Sequence, residues 1–384
     1  MKNLKLKKIL KESIFPVISF INKLVPKNDK RVLLYMPSIR FIYSLGPLKQ
    51  YLLENGYDKK YKISYGNLAF ERNGDGVYVK RFASVKSILN FLVSRHVFYT
   101  AGQLPIKPSK KQIVIHLQHG NATFKPLGKL NNIDNGDEFF FTYMAATSDL
   151  YVPIRAREYE CPESQVKVVG DAMADALLKA PQGVYDFSKY DKILVWAPTF
   201  RNSDFMGFKD SNLNTLIPLF DVQDYPALND LLAKYNISLI VKLHPIQTAP
   251  EGTQRHFSHL SIYSNDEFAS SGYDWYTLIA NSNGLIGDYS TVSMQYLLLD
   301  RPEAFVVPDI DDYAGNRGFV FDNPEDYMGG HIIKTKDEFI QFINDFAKGE
   351  DKYREKRHWV CDQVFKYKDA NCCERVVQLS EMSL

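Results

Sequence analysis

The sequence predicts an α/β protein built from two doubly wound domains in tandem, and three observations carry that prediction. Its 384 residues exceed what one hydrophobic core usually organises. Short apolar runs alternate with segments of helical period for most of the length, the pattern of parallel strands joined by helices. At residues 180–191, "APQGVYDFSKYD", that pattern lapses into Pro, Gly and polar residues and then restarts, as an interdomain linker would.

The first half holds six candidate strands: "RVLLYM" (31–36), "YKISY" (61–65), "HVFYT" (96–100), "IVIHL" (113–117), "MAATS" (144–148) and "VKVV" (166–169). Helical segments such as "LKQYLLEN" and "VKSILNFLVS" lie between several of them. After the linker come "KILVWA" (192–197), the helix "YPALNDLLAKY", "ISLIVKL" (237–243), "GLIG" (284–287), the helix "VSMQYLLL" and "EAFVV" (303–307). Residues 336–384 read as charged helices. The expected division is a basic amphipathic segment over 1–28, domains over 29–182 and 188–350, and C-terminal helices over 351–384. Two such domains place a cleft between facing strand ends, where folds of this kind bind ligands.

Composition sets the class. Hydrophobic residues at 45% and charged residues at 24% describe an ordinary globular protein. A net charge of +2 excludes a molecule that binds nucleic acid through overall charge. The charge is unevenly placed, however: residues 1–31 hold eight lysines and Arg31 against Glu12 and Asp29, a net of +7 that leaves −5 for the remainder. In "MKNLKLKKILKESIFPVISFINKLVPK", Leu6, Ile9, Leu10, Ile14, Val17, Ile18 and Ile21 fall near helical spacing. The apolar run Ile14–Ile21 is too short to span a bilayer and contains Pro16, and no small-residue cleavage pattern follows. Two readings remain: an interfacial helix whose lysines meet anionic lipid, or a helix packed on its own domain. The four cysteines, Cys161, Cys361, Cys372 and Cys373, form no Cys-x-x-Cys pair, which fits a reducing cytosolic compartment rather than a zinc or disulfide framework.

Chemistry-bearing residues collect just beyond the C-terminal ends of predicted strands. In "IVIHLQHGNATFKPLG", His116 lies within the strand as a core residue, while His119 opens the loop and Gly120 frees the backbone to turn beside it. In "LIVKLHP", pleat alternation puts Lys242 and His244 on one face. In "ILVWAPTFRNS", the strand is followed by Thr199 and Arg201; the arginine either clamps a phosphate or forms a loop salt bridge. In "NGLIGDYSTVSMQYLLLDRPEAF", Asp288, Ser290 and Thr291 stand where a strand meets a helix. Asp288 or Ser290 can serve there as a helix N-cap, or the hydroxyls and unsatisfied amides can hold a phosphate. "PDIDDYAGNRGFVFD" adds Arg317, and its Asp309-Ile310-Asp311 is too short a pattern to predict a metal site, so none is expected.

The ordered set "QHG", "VVGDAMADALL", "APTFR", "VKLHP", "GDYSTVSMQYLLLDRP" and "RGFVFD", spanning about residues 110–325, resembles the CDP-glycerol:poly(glycerol phosphate) glycerophosphotransferase family of teichoic-acid-type polymer synthesis. The resemblance implies two Rossmann-like domains facing across a cleft (GT-B-like), with the basic N-terminal helix and the C-terminal helices as additions. It implies that a glycerol phosphate, or a related alditol phosphate, passes from a CDP-activated donor to a hydroxyl of a lipid-linked or polymeric glycan acceptor, releasing CMP. By the family pattern His119 and His244 are the essential pair, and Ser290 and Thr291 grip the donor phosphates. Asp288, Lys242, Thr199, Arg201 and Arg317 complete the expected donor site, with Gly120, Lys125 and Asp175 on the acceptor side. The family's Gly-Tyr-Pro-Arg-x-Asp stands here as Gly170-Asp171-Ala172-Met173-Ala174-Asp175, keeping the aspartate and losing the arginine.

The chemistry expected is an in-line attack on the β-phosphorus with His119 as base and His244, Lys242 and Arg201 stabilising phosphate charge, although the sequence leaves open which of the two histidines is the base. CDP-glycerol or another CDP-alditol is the expected donor, no cofactor is called for, and the partners are the glycan acceptor and an anionic membrane surface met through residues 1–28, at the cytoplasmic face. Two alternatives share the same residues: a GT-B glycosyltransferase using a nucleotide sugar, and a non-catalytic membrane-associated binding module.

Overall fold

The computed structural model describes residues 10–36, 44–66, 77–79, 85–100, 104–130, 138–203, 208–213, 215–244, 247 and 253–384. Leu6, Ile9 and the lysines around them lie outside the described residues. The chain divides into two compact units, one of residues 1–121, 128–175 and 366–384, the other of residues 122–127 and 176–365. The segment grouped in sequence as 351–384 is therefore split: Arg354–Val364 belongs to the second unit and Cys372–Leu379 to the first.

The first unit holds a parallel sheet in the order Val77–Val79, Lys62–Gly66, Asn28–Tyr35, Ser94–Tyr99, Ile113–His116, Tyr143–Ala146, Val166–Val168. The second holds a parallel sheet in the order Leu260–Tyr263, Ile237–Lys242, Lys192–Trp196, Gly284–Gly287, Glu303–Val306, His331–Ile333. Both are doubly wound α/β sheets, as the alternation of patterns predicts. Of the strands in these two sheets, three escape the sequence reading, Val77–Val79, Leu260–Tyr263 and His331–Ile333, and all lie at sheet edges. Leu260–Tyr263 shows why: its residues alternate buried and half-buried, so it never presents the continuous apolar run of a strand covered on both faces.

Lys192–Trp196 shows the covered case. Leu194 and Trp196 enter one cluster with Phe220, Leu239, Val241, Leu243 and Phe339. Ile193, Val195 and Ala197 enter another with Ile240, Phe268, Leu278 and Tyr296 on the opposite face. Adjacent residues thus serve two cores, and the run must be apolar throughout. The same alternation, continued from Ile240, carries Lys242 and His244 toward the second of these faces. Helix Lys336–Lys348 has local signals at both ends: a capping box between Thr335 and Glu338, and Gly349 in the left-handed conformation at its close.

In the first unit the last helix, Cys372–Leu379, packs Cys372, Cys373, Val376 and Val377 onto Val32, Leu34, Ile63, Phe98 and Ile115. Helix Phe15–Leu24 is oriented the other way from a usual surface helix. Ser19 and Asn22 are its buried residues, and Asn22 donates to Lys107 O at 2.9 Å and Gln112 Oε1 at 2.6 Å. Val17, Phe20, Ile21 and Leu24 face outward, Phe20 at 62% and Leu24 at 68% exposure.

Candidate functional site

The second sheet begins in its middle. Its first strand, Lys192–Trp196, lies between Ile237–Lys242 and Gly284–Gly287, so the chain winds outward on one side and then returns to wind outward on the other. Such a reversal leaves the loops after the central strands to diverge, and ligands of doubly wound sheets bind there. Thr199 and Arg201 follow the first of these strands, His244 the second, and Asp288 to Thr291 the third.

Asp288 is fully buried and organises the strand ends. Its carboxylate accepts from Thr199 N at 2.8 Å, Thr199 Oγ1 at 2.6 Å, Arg201 Nη1 at 2.8 Å and Ser290 N at 3.1 Å. Arg201 is buried as well, and its Nε donates to Asp309 Oδ2 at 2.7 Å, with the guanidinium 4.9 Å from the Tyr289 ring centroid and 5.5 Å from that of Tyr313. Burial works to lower the Arg201 pKa, but Asp288 and Asp309 outweigh it and fix the positive charge. Burial likewise works to raise Asp309, and Arg201 overrides it, leaving the carboxyl below its usual range. Of the two fates open to Arg201 in sequence, the structure gives the salt bridge. Asp288, expected among the donor ligands, instead ties two loops together.

Lys125 lies in the six-residue segment that belongs to the second unit, half-buried, with Nζ donating to Thr199 Oγ1 at 3.4 Å. It was expected on the acceptor side; it stands with Thr199, Asp288 and His244. Burial is the main cause that drops its pKa to about 8, opposed by Asp288 and Asp210 and helped by Arg201 and Arg317. Lys242 is half-buried over the rings of Phe268 and Trp275, 5.4 Å from each centroid, and burial lowers its pKa too. His244 packs against Phe200 with ring centroids 4.5 Å apart. Burial first, then Lys125 and Lys242, push the His244 pKa down to about 3 against the pull of Asp288. At neutral pH the imidazole is therefore uncharged, between two lysines that repel a further proton. A negative charge placed beside these groups would favour the protonated form of each.

Ser290 occupies the N-cap of helix Thr291–Tyr296, yet its hydroxyl makes no capping bond. The tight approach of this helix to its strand explains Gly287: a Cβ there would overlap the hydroxyl of buried Ser293. Arg317 faces Asp210, its Nη1 3.8 Å from Oδ1, while Tyr313 donates to Asp210 Oδ2 at 3.5 Å. Asp309 and Asp210 were missed as site residues. Asp309 sits just past a predicted strand like the other candidates, so the strand-end rule reaches it. Asp210 follows the hairpin of Asn202–Ser203 and Phe208–Lys209, which leaves no pattern in sequence.

The remaining predicted residues belong to the first unit. His116 is a core residue, as expected: buried, stacked on Tyr99 at 4.2 Å between centroids, with Nε2 2.6 Å from Thr100 O and a pKa lowered mainly by burial to about 3. His119 is exposed, between buried Gln118 and buried Gly120. Gly120 has φ of 136°, which a side chain would strain. Asp175, expected near the acceptor, accepts from Cys372 N at 2.9 Å and Cys373 N at 2.8 Å, so it caps the last helix from a distance in sequence.

Comparison with known proteins identifies the family and the fold. The family profile of CDP-glycerol:poly(glycerophosphate) glycerophosphotransferases matches residues 19–381. The chain is 27% identical to the teichoic acid ribitol-phosphate primase of Bacillus spizizenii over 270 residues, 65% of each, so it spans slightly less than two thirds of that relative. It is 25% identical to the teichoic acid poly(glycerol phosphate) polymerase of the same organism over 366 residues, 86% of this chain and 87% of the polymerase. The solved structure of the wall teichoic acid polymerase TagF shares the fold, with a TM-score of 0.71, 19% identity, and coverage of 99% of this chain and 95% of that one. With the family profile running through both sheets and every strand-end motif described above, the chain belongs to the CDP-glycerol:poly(glycerophosphate) glycerophosphotransferase family.

Proposed function

We propose that the protein transfers glycerol phosphate or ribitol phosphate from a CDP-activated donor to a hydroxyl of a lipid-linked or polymeric glycan, releasing CMP. One observation carries the donor half of this reading: Lys125 and Lys242 both act on neutral His244 after the central strands of the second sheet, and Ser290 heads the helix that follows the strand on the other side of the switch point. Two lysines and an imidazole whose protonation they disfavour suit a ligand with several negative charges. Family membership and the names of the relatives favour a CDP-alditol over other anions.

In the proposed reaction the acceptor oxygen forms a bond to the β-phosphorus as the bond from that phosphorus to the bridging oxygen of CMP breaks. His119 takes the hydroxyl proton. Lys125, Lys242 and His244 hold the negative charge that develops on the transferred and departing phosphates. Arg201 acts on the loops rather than the ligand, since both its carboxylate partners are protein groups.

The test is acceptor-dependent CMP release from CDP-glycerol and CDP-ribitol, with UDP-sugars in parallel. Loss of about 10²- to 10⁴-fold in turnover on His119→Ala supports the base role. Turnover with a UDP-sugar and none with either CDP-alditol would overturn the transferred group.

The proposal extends to the membrane. Among the described residues no helix is long and apolar enough to cross a bilayer. Helix Phe15–Leu24 nevertheless shows an apolar stripe of Val17, Phe20, Ile21 and Leu24 beside the lysine-rich start of the chain. That combination suits insertion at an anionic surface on the cytoplasmic side. Phe20→Glu with Leu24→Glu should abolish sedimentation with phosphatidylglycerol vesicles; unchanged sedimentation would discard the interfacial role.

A further inference from the structure

We infer that Arg155, Glu158 and Tyr159 form a buried bracket that fixes where His119 presents its imidazole, an inference resting on the proposed base role of that histidine. From Leu117 to Phe124 every residue is buried except His119. The loop is therefore an arch inside the protein with one side chain outside. Both feet of the arch are tied to a single helix, Tyr151–Tyr159.

On one side the Tyr159 hydroxyl donates to Gln118 Oε1 at 3.0 Å. On the other, Arg155 Nη2 donates to the carbonyl of Asn121 at 2.8 Å. Positions 155 and 159 are one helical turn apart, so both side chains leave the same face of the helix. Arg155 Nη1 is meanwhile paired with Glu158, and both side chains of that pair are 0% exposed.

Two features mark this as more than packing. A fully buried ion pair is expensive to desolvate, and apolar residues of like volume often serve stability as well or better. Gln118 has φ of 62°, a conformation that non-glycine residues keep only where the surroundings over-determine it. Here they do: the Thr100 hydroxyl donates to Gln118 O, Tyr159 holds its side chain, and Asn121 Nδ2 donates to Gly170 O at 3.0 Å to anchor the far foot. The charged pair and the strained residue make sense together if the arch must hold one geometry. The bracket residues are positioning residues, since none reaches solvent with His119.

The test uses the full chain carrying Tyr159→Phe, and separately Arg155→Met with Glu158→Met, which replaces the pair by apolar groups. For Tyr159→Phe the expectation is about a tenfold fall in kcat for CMP release, with KM for CDP-glycerol within about twofold, because misplacing a catalytic group acts on the chemical step, and Tm lower by only about 2–4 °C for the buried Gln118 oxygen left unpaired. The double variant should fold and show the same split, and amide exchange across residues 117–121 should quicken in both. Unchanged exchange and unchanged kcat in Tyr159→Phe would overturn the bracket. A much larger fall in Tm, with exchange quickened throughout the first unit rather than at residues 117–121, would reduce it to a stability element. His119→Ala separates the two levels: if that variant keeps its turnover, the base role fails on its own, and exchange at residues 117–121 still decides the bracket.

Discussion

Replacing Asp288 by Asn tests whether the strand-end network is one energetic unit. The carboxylate accepts four hydrogen bonds and is paired with a guanidinium that is itself buried. An amide of the same shape keeps one acceptor oxygen and turns an NH2 group toward donors. Removing one partner of a buried pair costs about 3–5 kcal/mol, chiefly for the charge left behind. Arg201 retains Asp309 through Nε at 2.7 Å, which keeps part of its compensation, so the lower end, about 3 kcal/mol, applies. For a unit of this size each kcal/mol moves Tm by about 2–4 °C, so a fall of about 6–12 °C is expected. The assay is selective by good fortune of sequence: Trp196, Trp275 and Trp359 all lie in the second unit, so tryptophan emission on heating reports that unit alone. A shift below about 2 °C, less than the effect of one kcal/mol, would refute the claim that Asp288, Arg201 and Asp309 bear on stability together.

Lys125 should take up protons when the donor binds. Its pKa of about 8 is half-titrated at pH 8, and a neighbouring phosphate raises it, so calorimetry in buffers of different ionisation enthalpy should show uptake of roughly half a proton from this residue on CMP binding. Release of protons at pH 8 would contradict the assignment. The same depressed pKa means that the unfolded chain binds the extra proton between about pH 8 and the ordinary lysine value, so this residue's destabilisation is full below pH 8 and fades as pH rises. Lys125→Met should therefore raise the Tm of the second unit at pH 7 while weakening CMP binding about 10- to 100-fold, the range for a lost hydrogen bond to a charged group. Asp175→Asn should loosen the last helix, costing about 1.5–3 kcal/mol for hydrogen bonds to a charged acceptor and quickening amide exchange at Cys372 and Cys373. If exchange there is unchanged and only acceptor-dependent turnover falls, the residue returns to acceptor binding.

The central strands were legible because burial on both faces forces an uninterrupted apolar run. Lys192–Trp196, with neighbours in two cores, is the clearest case. Edge strands such as Leu260–Tyr263 were not, since a half-exposed strand of four residues has no pattern that a loop could not share. The return of Cys372–Leu379 to the first unit was equally hidden, because its partners Val32 and Phe98 lie hundreds of residues earlier and no periodicity records them.

The strand-end rule gathers the candidates and does not sort them. It picked Thr199, Arg201, Lys242, His244, Asp288 and Ser290 on the same ground, their place just past a strand. Structure divides them by charge and burial. Asp288 and Arg201 have opposite charges and are both buried, so each neutralises the other and neither is left for a ligand. Lys242 lowers the pKa of His244, so these two groups do not neutralise each other as Asp288 and Arg201 do. That distinction needs side-chain direction, which a sequence gives only as alternation along the strand. Alternation sufficed for Lys242 and His244, which share a face. It was silent for Arg201, whose loop folds it back beneath the ring of Tyr289. The proposed phosphate-binding role therefore falls on residues whose charges oppose rather than cancel one another. On that ground Lys125, in the segment 122–127 grouped with the second unit, is assigned to the proposed donor site although its place in the sequence puts it beside the acceptor motif.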